Sequence, residues 1–266
     1  MRNDLIQPDY SRFFFYITHY MNTSGYASLI IFFLITLLAE ILGTIGGFGS
    51  SLFFVSLAQF LYDFQTVLAL TGLLHIFSNT AKIVLFRKTI DWRLVLWLGV
   101  SSIALAIVGA YITRVVSFTY ARLILGVFLV IFSLFFFWKP DFKLSATIPN
   151  SILGGSLAGF LAGFIGTGGA IRGLVLASFN LEKNLFVGTS AAIDFGVDLS
   201  RTIIYLDSNY LDRDLWIYVP LLMVASFIGS YLGKIVLSKL SQNKFRIFLL
   251  SLVLFMGFAL IAGGLK

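Results

Sequence analysis

The 266-residue chain contains no cysteine and few charged residues, and each absence excludes a class of protein. Without cysteine there is no disulfide, no thiolate nucleophile and no cysteine-ligated metal. Charged residues make up 12% of the chain, whereas hydrophobic residues make up 59% and phenylalanine alone occurs 29 times. A water-soluble surface cannot be assembled from this composition, which therefore predicts an integral membrane protein.

The apolar runs lack the alternating ten-residue pattern of an outer-membrane barrel. Because lipid cannot satisfy backbone polar groups, such runs must form helices, and the predicted fold class is all-α, a polytopic transmembrane helical protein. The net charge of +7 lies mainly in connecting segments, which indicates a role in membrane topology rather than nucleic-acid binding. The ten apolar segments are 27–44, 50–62, 66–86, 94–113, 119–138, 149–165, 169–181, 184–206, 215–237 and 244–264.

The chain contains an internal repeat. Residues 43–82 reappear at 162–201, so that Gly47 corresponds to Gly166 and Asp63 to Glu182. In an apolar chain, this doubling is typical of a two-fold transporter scaffold. The predicted regions are an N-terminal interfacial segment (1–25), a first transmembrane repeat (26–138), a connecting loop (139–148) and a second transmembrane repeat (149–266).

The second segment of each half is short. About 13 helical residues rise only about 20 Å, against a hydrocarbon core of about 30 Å, so each short helix and its preceding glycine-rich turn are expected to be recessed in the protein. If these segments cross the membrane, each half has five spans and the halves are inverted. If they are re-entrant, each half has four spans, eight in all, and the halves run parallel.

Loop charges favour the inverted arrangement. The loop after the third segment carries Arg87, Lys88 and Arg93, whereas the equivalent loop of the second half is mainly acidic, with Asp212 and Asp214. Cytoplasmic loops are enriched in lysine and arginine. The pattern predicts ten crossings, and it places in the cytoplasm Arg87 and Lys88, Lys139 and Lys143, and the basic residues of 234–246.

The two glycine-rich turns are candidate anion sites. Glycine allows close approach of the backbone, and the helix that follows each turn offers free N–H groups and a positive dipole end. The alternative interpretation is close packing of helices through small residues. The candidate substrate-binding residues are Gly46, Gly47, Gly49 and Ser50 in the first turn and Gly166, Gly168 and Gly169 in the second.

Charged and polar residues inside the predicted spans are further candidates. Arg172 lies three residues into the second short helix, where its equivalent, Phe53, is apolar. On the third segments, the spacings i, i+4, i+7 place two polar stripes on single helix faces, one of His75, Asn79 and Lys82 and the other of Asp194, Asp198 and Arg201. Charges within spans default to a function or to a partner, so substrate binding and an ion-pair network both remain open. The substrate-binding candidates are Arg172, His75, Asn79, Lys82 and Arg201.

Four of the buried titratable residues are candidates for proton coupling. His75 and Asp194 occupy equivalent positions and both can change protonation, as a relay requires. Glu40 lies just before the first glycine turn, where it could couple protons or pair with Lys82. The set is His75, Asp194, Asp198 and Glu40. Asp63 and Glu182, which follow the short helices, are expected at the membrane interface.

The paired turns, the later polar spans and the loops Asp91–Arg93 and Asp212–Asp214 together resemble the TauE/SafE sulfite exporter family, also called the toluene sulfonate uptake permease family. The most specific parts are the GTGGAIRG and TSAAID stretches of the second repeat. The resemblance implies a bacterial inner-membrane secondary carrier for sulfite, thiosulfate, sulfoacetate or a related organosulfonate. The chain departs from the family pattern at Phe48, where a third glycine is usual, and in lacking a proline soon after either turn.

Other classes of function are weighed against a carrier. An intramembrane serine protease would require Ser50 or Ser51 to act with His75, but the usual GxSG arrangement is missing. An anion channel or a non-transporting membrane scaffold is the stronger alternative, since pores also use broken helices and charged rings. The sequence predicts no enzyme activity, no cofactor and no metal. Its expected partners are a small anion, protons and membrane lipid.

Overall fold

A computed structural model describes residues 25–47, 50–58, 62–112, 119–165 and 168–264. Within these ranges the chain is helical and contains no strand, which confirms the all-α prediction. The predicted interfacial segment lies outside the described residues except for its last one. Four residues of the glycine turns, Phe48, Gly49, Gly166 and Thr167, also lie outside them.

The first half forms five helices, each at the position of a predicted apolar segment. The second is the short one, and its eight residues rise only about 12 Å. The fourth contains a π-helical turn at Val95–Gly99, between Trp92–Leu94 and Val100–Ile112. The helices are α1 (Gly25–Gly46), α2 (Ser51–Ala58), α3 (Phe64–Phe86), α4 (Trp92–Ile112) and α5 (Thr119–Trp138).

The second half repeats this order. Its short helix has ten residues and ends where Asn180 adopts a positive φ of 54°, a conformation that ends helices. A 3₁₀ segment, Arg213–Tyr218, leads into the fourth helix of this half. The helices are α6 (Ile148–Ile165), α7 (Gly169–Ser178), α8 (Lys183–Asp207), α9 (Val219–Lys239) and α10 (Gln242–Gly264).

Acidic residues cap the equivalent helices α3 and α8. The Asp63 carboxylate accepts backbone hydrogen bonds from Gln65 and Thr66, and Glu182 does the same at the start of α8. Such caps satisfy N–H groups that have no partner within the helix. The two acids expected at the interface therefore begin the central helix of each half.

Five stretches in the described part of the chain are long and apolar enough to cross a membrane. Helix α8 is not among them because its centre carries charged residues, yet those residues are buried inside the bundle. The chain is a polytopic helical membrane protein. The five stretches are Leu29–Gly46, Gln65–Phe86, Trp92–Ile112, Arg213–Lys239 and Gln242–Ala262.

Helices α3 and α8, the third of each half, cross as an antiparallel pair. Near the start of α3, Gly72 packs directly against Thr202, which lies near the end of α8. Just past the end of α3, the Thr89 hydroxyl donates to the carbonyl of Asn184, in the first turn of α8, at 3.2 Å. Equivalent helices of the two halves therefore run in opposite directions.

Helix α9 runs parallel to α3. The Ser226 hydroxyl donates to the Leu74 carbonyl at 3.2 Å, and further along both helices the Lys234 ammonium donates to the Leu85 carbonyl at 2.7 Å. Helix α9 is also parallel to α1, because its glycines at 229 and 233 pack against successive turns of α1. Helices α1, α3 and α9 thus share one direction.

Helices α4, α6 and α8 share the opposite direction. The amide of Asp91 donates to the Thr189 hydroxyl at 2.9 Å, and later Ile103 packs on Gly196, which makes α4 parallel to α8. Since α1 and α3 are parallel, α2 must lead the chain back between them. Since α1 and α6 are opposed, the halves are inverted, with five passes each.

A glycine stripe on α6 brings it into backbone contact with α4. A Cβ at Gly159 would lie 2.5 Å from the Cα of Ser102, and one at Gly163 would lie 2.8 Å from the carbonyl carbon of Ala106. One turn earlier, the Ser102 hydroxyl donates to the Gly155 carbonyl at 2.8 Å. Small residues permit such close packing where helices meet in a membrane.

Candidate functional site

The buried charges of the described residues gather on four helices, α1, α3, α7 and α8. Each of these side chains is less than 10% exposed, and Arg172 and Glu40 are fully buried. Unpaired charges at such depth are costly, so each requires a partner. The residues are Glu40, His75, Lys82, Arg172, Asp194, Asp198 and Arg201.

Arg172 joins the short helix α7 to α8. Its Nη2 forms an ion pair with Oδ1 of Asp194, and its Nε donates to the Ser190 hydroxyl at 3.3 Å. Ser190 in turn donates to the other carboxylate oxygen of Asp194 at 3.4 Å. The third guanidinium nitrogen, Nη1, is buried without a hydrogen-bond partner among the described residues.

Asp198 is the centre of a second group at the crossing of α3 and α8. Its Oδ1 pairs with Arg201, three residues further along α8, with N···O distances of 2.7 and 2.8 Å. Its Oδ2 lies 3.3 Å from His75 Nδ1 and accepts a hydrogen bond from the Asn79 amide at 2.8 Å. The Nε2 atom of His75 is buried and has no partner among the described residues.

Glu40 on α1 forms a third group. One carboxylate oxygen accepts a hydrogen bond from Ser50, and the other accepts from Ser78 at 2.5 Å and lies 3.5 Å from the Lys82 ammonium. Lys82 also donates to Ser78 at 2.5 Å. The structure therefore shows the Glu40 and Lys82 pairing that the sequence left open.

The polar stripe of α3 does not act as a single face. His75 and Asn79 contact Asp198 on α8, whereas Lys82 turns to Glu40 on α1. The i, i+4, i+7 spacing spreads three side chains over an arc that two neighbouring helices can divide between them. His75 and Asp194, the equivalent pair, likewise have different partners.

The three groups form one electrostatic unit. Asp194 is close enough to interact with Asp198, His75 and Lys82 as well as with its partner Arg172. The charges of its three basic and three acidic residues cancel when all six are ionised, so the unit has no net charge while His75 is neutral. Protonation of His75 gives the unit a net charge of one positive.

Gly47 and Gly168, one glycine of each turn, pack closely against neighbouring residues. Gly47 has a φ of +76°, which only glycine adopts at low cost, and it packs against Phe186 and Val187 at the start of α8. Gly168 packs against Ala158 and Ala162 of its own half. These contacts are those of close helix packing.

The remaining turn residues occupy helix ends. Gly46 is the last residue of α1 and Gly169 the first of α7. Ser50 lies just before α2 and its hydroxyl donates to the Glu40 carboxylate. A serine protease would instead require this hydroxyl to bond to His75. Gly49 and Gly166 lie outside the described residues.

Two serines that bridge the charges were not among the candidate site residues. Ser78 links Glu40 to Lys82, and Ser190 links Arg172 to Asp194. Each lies four residues before the charged residue that it contacts on its own helix. A search for hydroxyls one turn away from buried charges would have found both.

Comparison with known proteins gives one match. The sequence model described as "Sulfite exporter TauE/SafE" matches residues 32–260, which include helices α2 to α9 whole and most of α1 and α10. No match is found among the curated proteins or the solved structures.

Proposed function

Because the chain belongs to the sulfite exporter TauE/SafE family, a family of membrane transporters, we propose that it is a secondary carrier for a small sulfur-containing anion in a bacterial inner membrane. The proposed substrates are sulfite, thiosulfate, sulfoacetate or another organosulfonate, and transport is coupled to protons. The observation that supports this proposal best is the charge-balanced group buried between the two inverted halves.

Arg172 is proposed as the group that binds the anion directly. Its Nη1 is buried and unpartnered among the described residues, so a donor is available without breaking the pair with Asp194. The two N–H groups of Nη1 lie in the plane of the guanidinium and have fixed directions, which the rotating ammonium group of lysine lacks. Arg201 and Lys82 are bonded to carboxylates, and their proposed role is to raise the potential of the site.

Proton coupling is proposed from the charge count. An anion entering a neutral buried group would be an uncompensated charge at high cost. Protonation of His75 at Nε2 supplies the missing positive charge, because its Nδ1 already contacts Asp198 and Nε2 has no partner among the described residues. Anion and proton would therefore bind together, and histidine is the side chain that titrates nearest neutral pH.

Access to the buried site requires a conformational change. In carriers with inverted repeats, one part rocks against the other so that a central site opens to each side in turn. The antiparallel crossing of α3 and α8 and the short helices α2 and α7 fit this mechanism. The two glycine-rich turns are proposed as further contacts to the anion, as their sequence predicts.

The proposal is tested by uptake of labelled thiosulfate and sulfoacetate into proteoliposomes that contain the purified protein. A carrier gives saturable uptake, and a pH gradient makes the labelled anion accumulate inside the proteoliposomes. An anion channel gives uptake that follows the membrane potential and does not accumulate against its gradient, and a scaffold gives none. Uptake that a pH gradient leaves unchanged would contradict the proton coupling.

The role of Arg172 needs variants that remain folded. Arg172→Gln alone leaves Asp194 as an unpaired buried charge, which costs about 3 to 5 kcal/mol. The double variant Arg172→Gln/Asp194→Asn removes both charges and should lose substrate binding, whereas Arg172→Lys should bind more weakly and keep some transport. Glu40→Gln/Lys82→Gln removes an equal pair of charges that has no proposed direct contact with the anion, so it should weaken binding less than Arg172→Gln/Asp194→Asn. Normal affinity in the Arg172→Gln/Asp194→Asn variant would make Arg172 a structural residue.

A further inference from the structure

An apolar groove of about 550 Å³ lies on the opposite side of α7 from the charged group. Its walls are α5, α6 and α7, and the segment 139–147 that connects the two halves closes one end. Several of its residues are open to the outside of the bundle, among them Leu153 at 72% exposed and Leu157 at 43%. In a membrane-spanning protein, such a groove faces the hydrocarbon chains of the lipid.

The closed end of the groove carries positive charge. Phe142 and Leu144 line the groove, and Lys143, which lies between them, is exposed. Lys139 is also exposed and lies over the ring of Trp138, 4.7 Å from its centroid. Asp141 lies in the same segment, so residues 139–147 carry two positive charges and one negative.

The segment that bears the lysines is held in place at the end of α7. The amide of Leu144 donates to the Ser178 carbonyl at 2.8 Å, and the Asn150 side chain donates to the Ser145 carbonyl at 3.0 Å. The ring of Phe142 packs edge-on against Phe135 at 5.1 Å between centroids. The backbone that carries the two lysines thus has a fixed position at the end of the apolar groove.

We propose that this groove binds an acyl chain of an anionic phospholipid, with the lipid phosphate against Lys139 and Lys143. Burial in the groove offers a chain little gain over the surrounding lipid, because both are apolar. Selection must therefore come from the headgroup, and a lysine near the membrane surface favours an anionic lipid by on the order of fivefold. The groove determines where the lipid binds, and the two lysines determine that the bound lipid is anionic.

The lipid would contact the helix that carries Arg172. Ile171 and Leu174, the neighbours of Arg172 on α7, line the groove, while Arg172 itself is directed at α8. A chain in the groove therefore packs against α7 from the side opposite the ion pair. Lipid binding is measured directly, and its outcome does not depend on the proposed transport activity.

The test is native mass spectrometry of the purified full-length protein with dioleoyl phosphatidylglycerol and dioleoyl phosphatidylcholine, which share the same chains. We expect preferential retention of phosphatidylglycerol, and a loss of about tenfold or more of that preference in Lys139→Gln/Lys143→Gln. The control, Lys239→Gln/Lys244→Gln, removes the same charge from exposed positions at the corner between α9 and α10 and should keep the preference. Asp141→Asn should increase it.

A second pair of variants tests the chain. Leu157→Trp places a larger side chain in the groove and should reduce retention of both lipids, whereas Val84→Trp, at an exposed position on α3 outside the groove, should not. Equal binding of the two lipids by the native protein, or an unchanged preference in Lys139→Gln/Lys143→Gln, would overturn the proposal. So would displacement of the lipid by inorganic phosphate alone, or a dimer mass in place of a lipid adduct.

Discussion

The substitution Gly159→Ala should destabilise the protein although alanine is the better helix former. Alanine in a helix is favoured over glycine by roughly 0.5 to 1 kcal/mol. The added Cβ, however, would lie 2.5 Å from the Cα and carbonyl carbon of Ser102, where ordinary contacts begin at 3.4 Å. Backbone atoms cannot move aside by a change of rotamer, so α4 and α6 must separate by nearly an ångström.

The separation sets the size of the effect. Overpacking of this kind costs about 1 to 3 kcal/mol. The 2.8 Å hydrogen bond from Ser102 to the Gly155 carbonyl lies one turn away and would be stretched, a further loss of about 0.6 kcal/mol for bonds between membrane helices. The net destabilisation is about 1 to 3 kcal/mol, which corresponds to a fall in Tm of roughly 3 to 10 °C.

The matched control is Gly99→Ala on α4. There the nearest atom to an added Cβ belongs to the Ile193 side chain at 3.6 Å, an ordinary contact, so the gain in helix propensity remains and stability should be unchanged or higher. Thermal unfolding in detergent, followed by size-exclusion chromatography after heating, measures both variants. If Gly159→Ala proves as stable as Gly99→Ala, the close approach of α4 and α6 is incorrect.

Three other outcomes are expected. Single cysteines at positions 88 and 212 should react with impermeant reagents from opposite sides of the membrane, because the inverted halves carry opposite loop charges. His75→Gln should flatten the pH dependence of transport while keeping the protein folded, since glutamine cannot take up the proton. Partial burial raises the pKa of Asp63, but hydrogen bonds from Thr66 and Gln65 outweigh this effect and hold the pKa below the usual 3.8. Ionised Asp63 therefore stabilises α3 above pH 3.8, and this stabilisation is lost as the pH falls through the lowered pKa. Asp63→Asn keeps the cap but should lose this acid dependence.

Each outcome has a result that contradicts it. Labelling of positions 88 and 212 from the same side would contradict the predicted orientation of the loops. A normal pH profile in His75→Gln would exclude that histidine as the proton carrier. An unchanged acid limb of the stability curve in Asp63→Asn would show that other carboxylates control it.

The architecture could be predicted from the sequence because lipid leaves few alternatives. The ten apolar segments correspond to ten helices of the described residues, and the i, i+3 spacing of Asp198 and Arg201 allowed the ion pair that they form. Helix direction required contacts between helices. The loop charges pointed to inverted halves, but the parallel course of α1 and α3 is established by contacts of both with α9.

Partners across helices could not be predicted, because periodicity gives the face of a residue and not its neighbour. Lys82 shares a helix with His75 and Asn79, yet it pairs with Glu40 on α1. Arg172 pairs with Asp194, and Asp194 was expected to act with His75. The i, i+7 spacing of Lys82 from His75 allowed Lys82 to pair with a residue of α8 or of α1. The contact between α3 and α1 determines that its partner is Glu40.

The bond between Asn79 and Asp198 joins a residue to its own counterpart in the other repeat, 119 positions along the chain. In a symmetric homodimer of a single half, this position would face a copy of itself. Two aspartates would repel each other, and two asparagines would carry no charge to hold a cation such as Arg201. Joining the halves in one polypeptide removes that restriction, because one copy can become the donor and the other the acceptor. The amide and the carboxylate at this crossing are thus an arrangement that a homodimer of one half cannot encode.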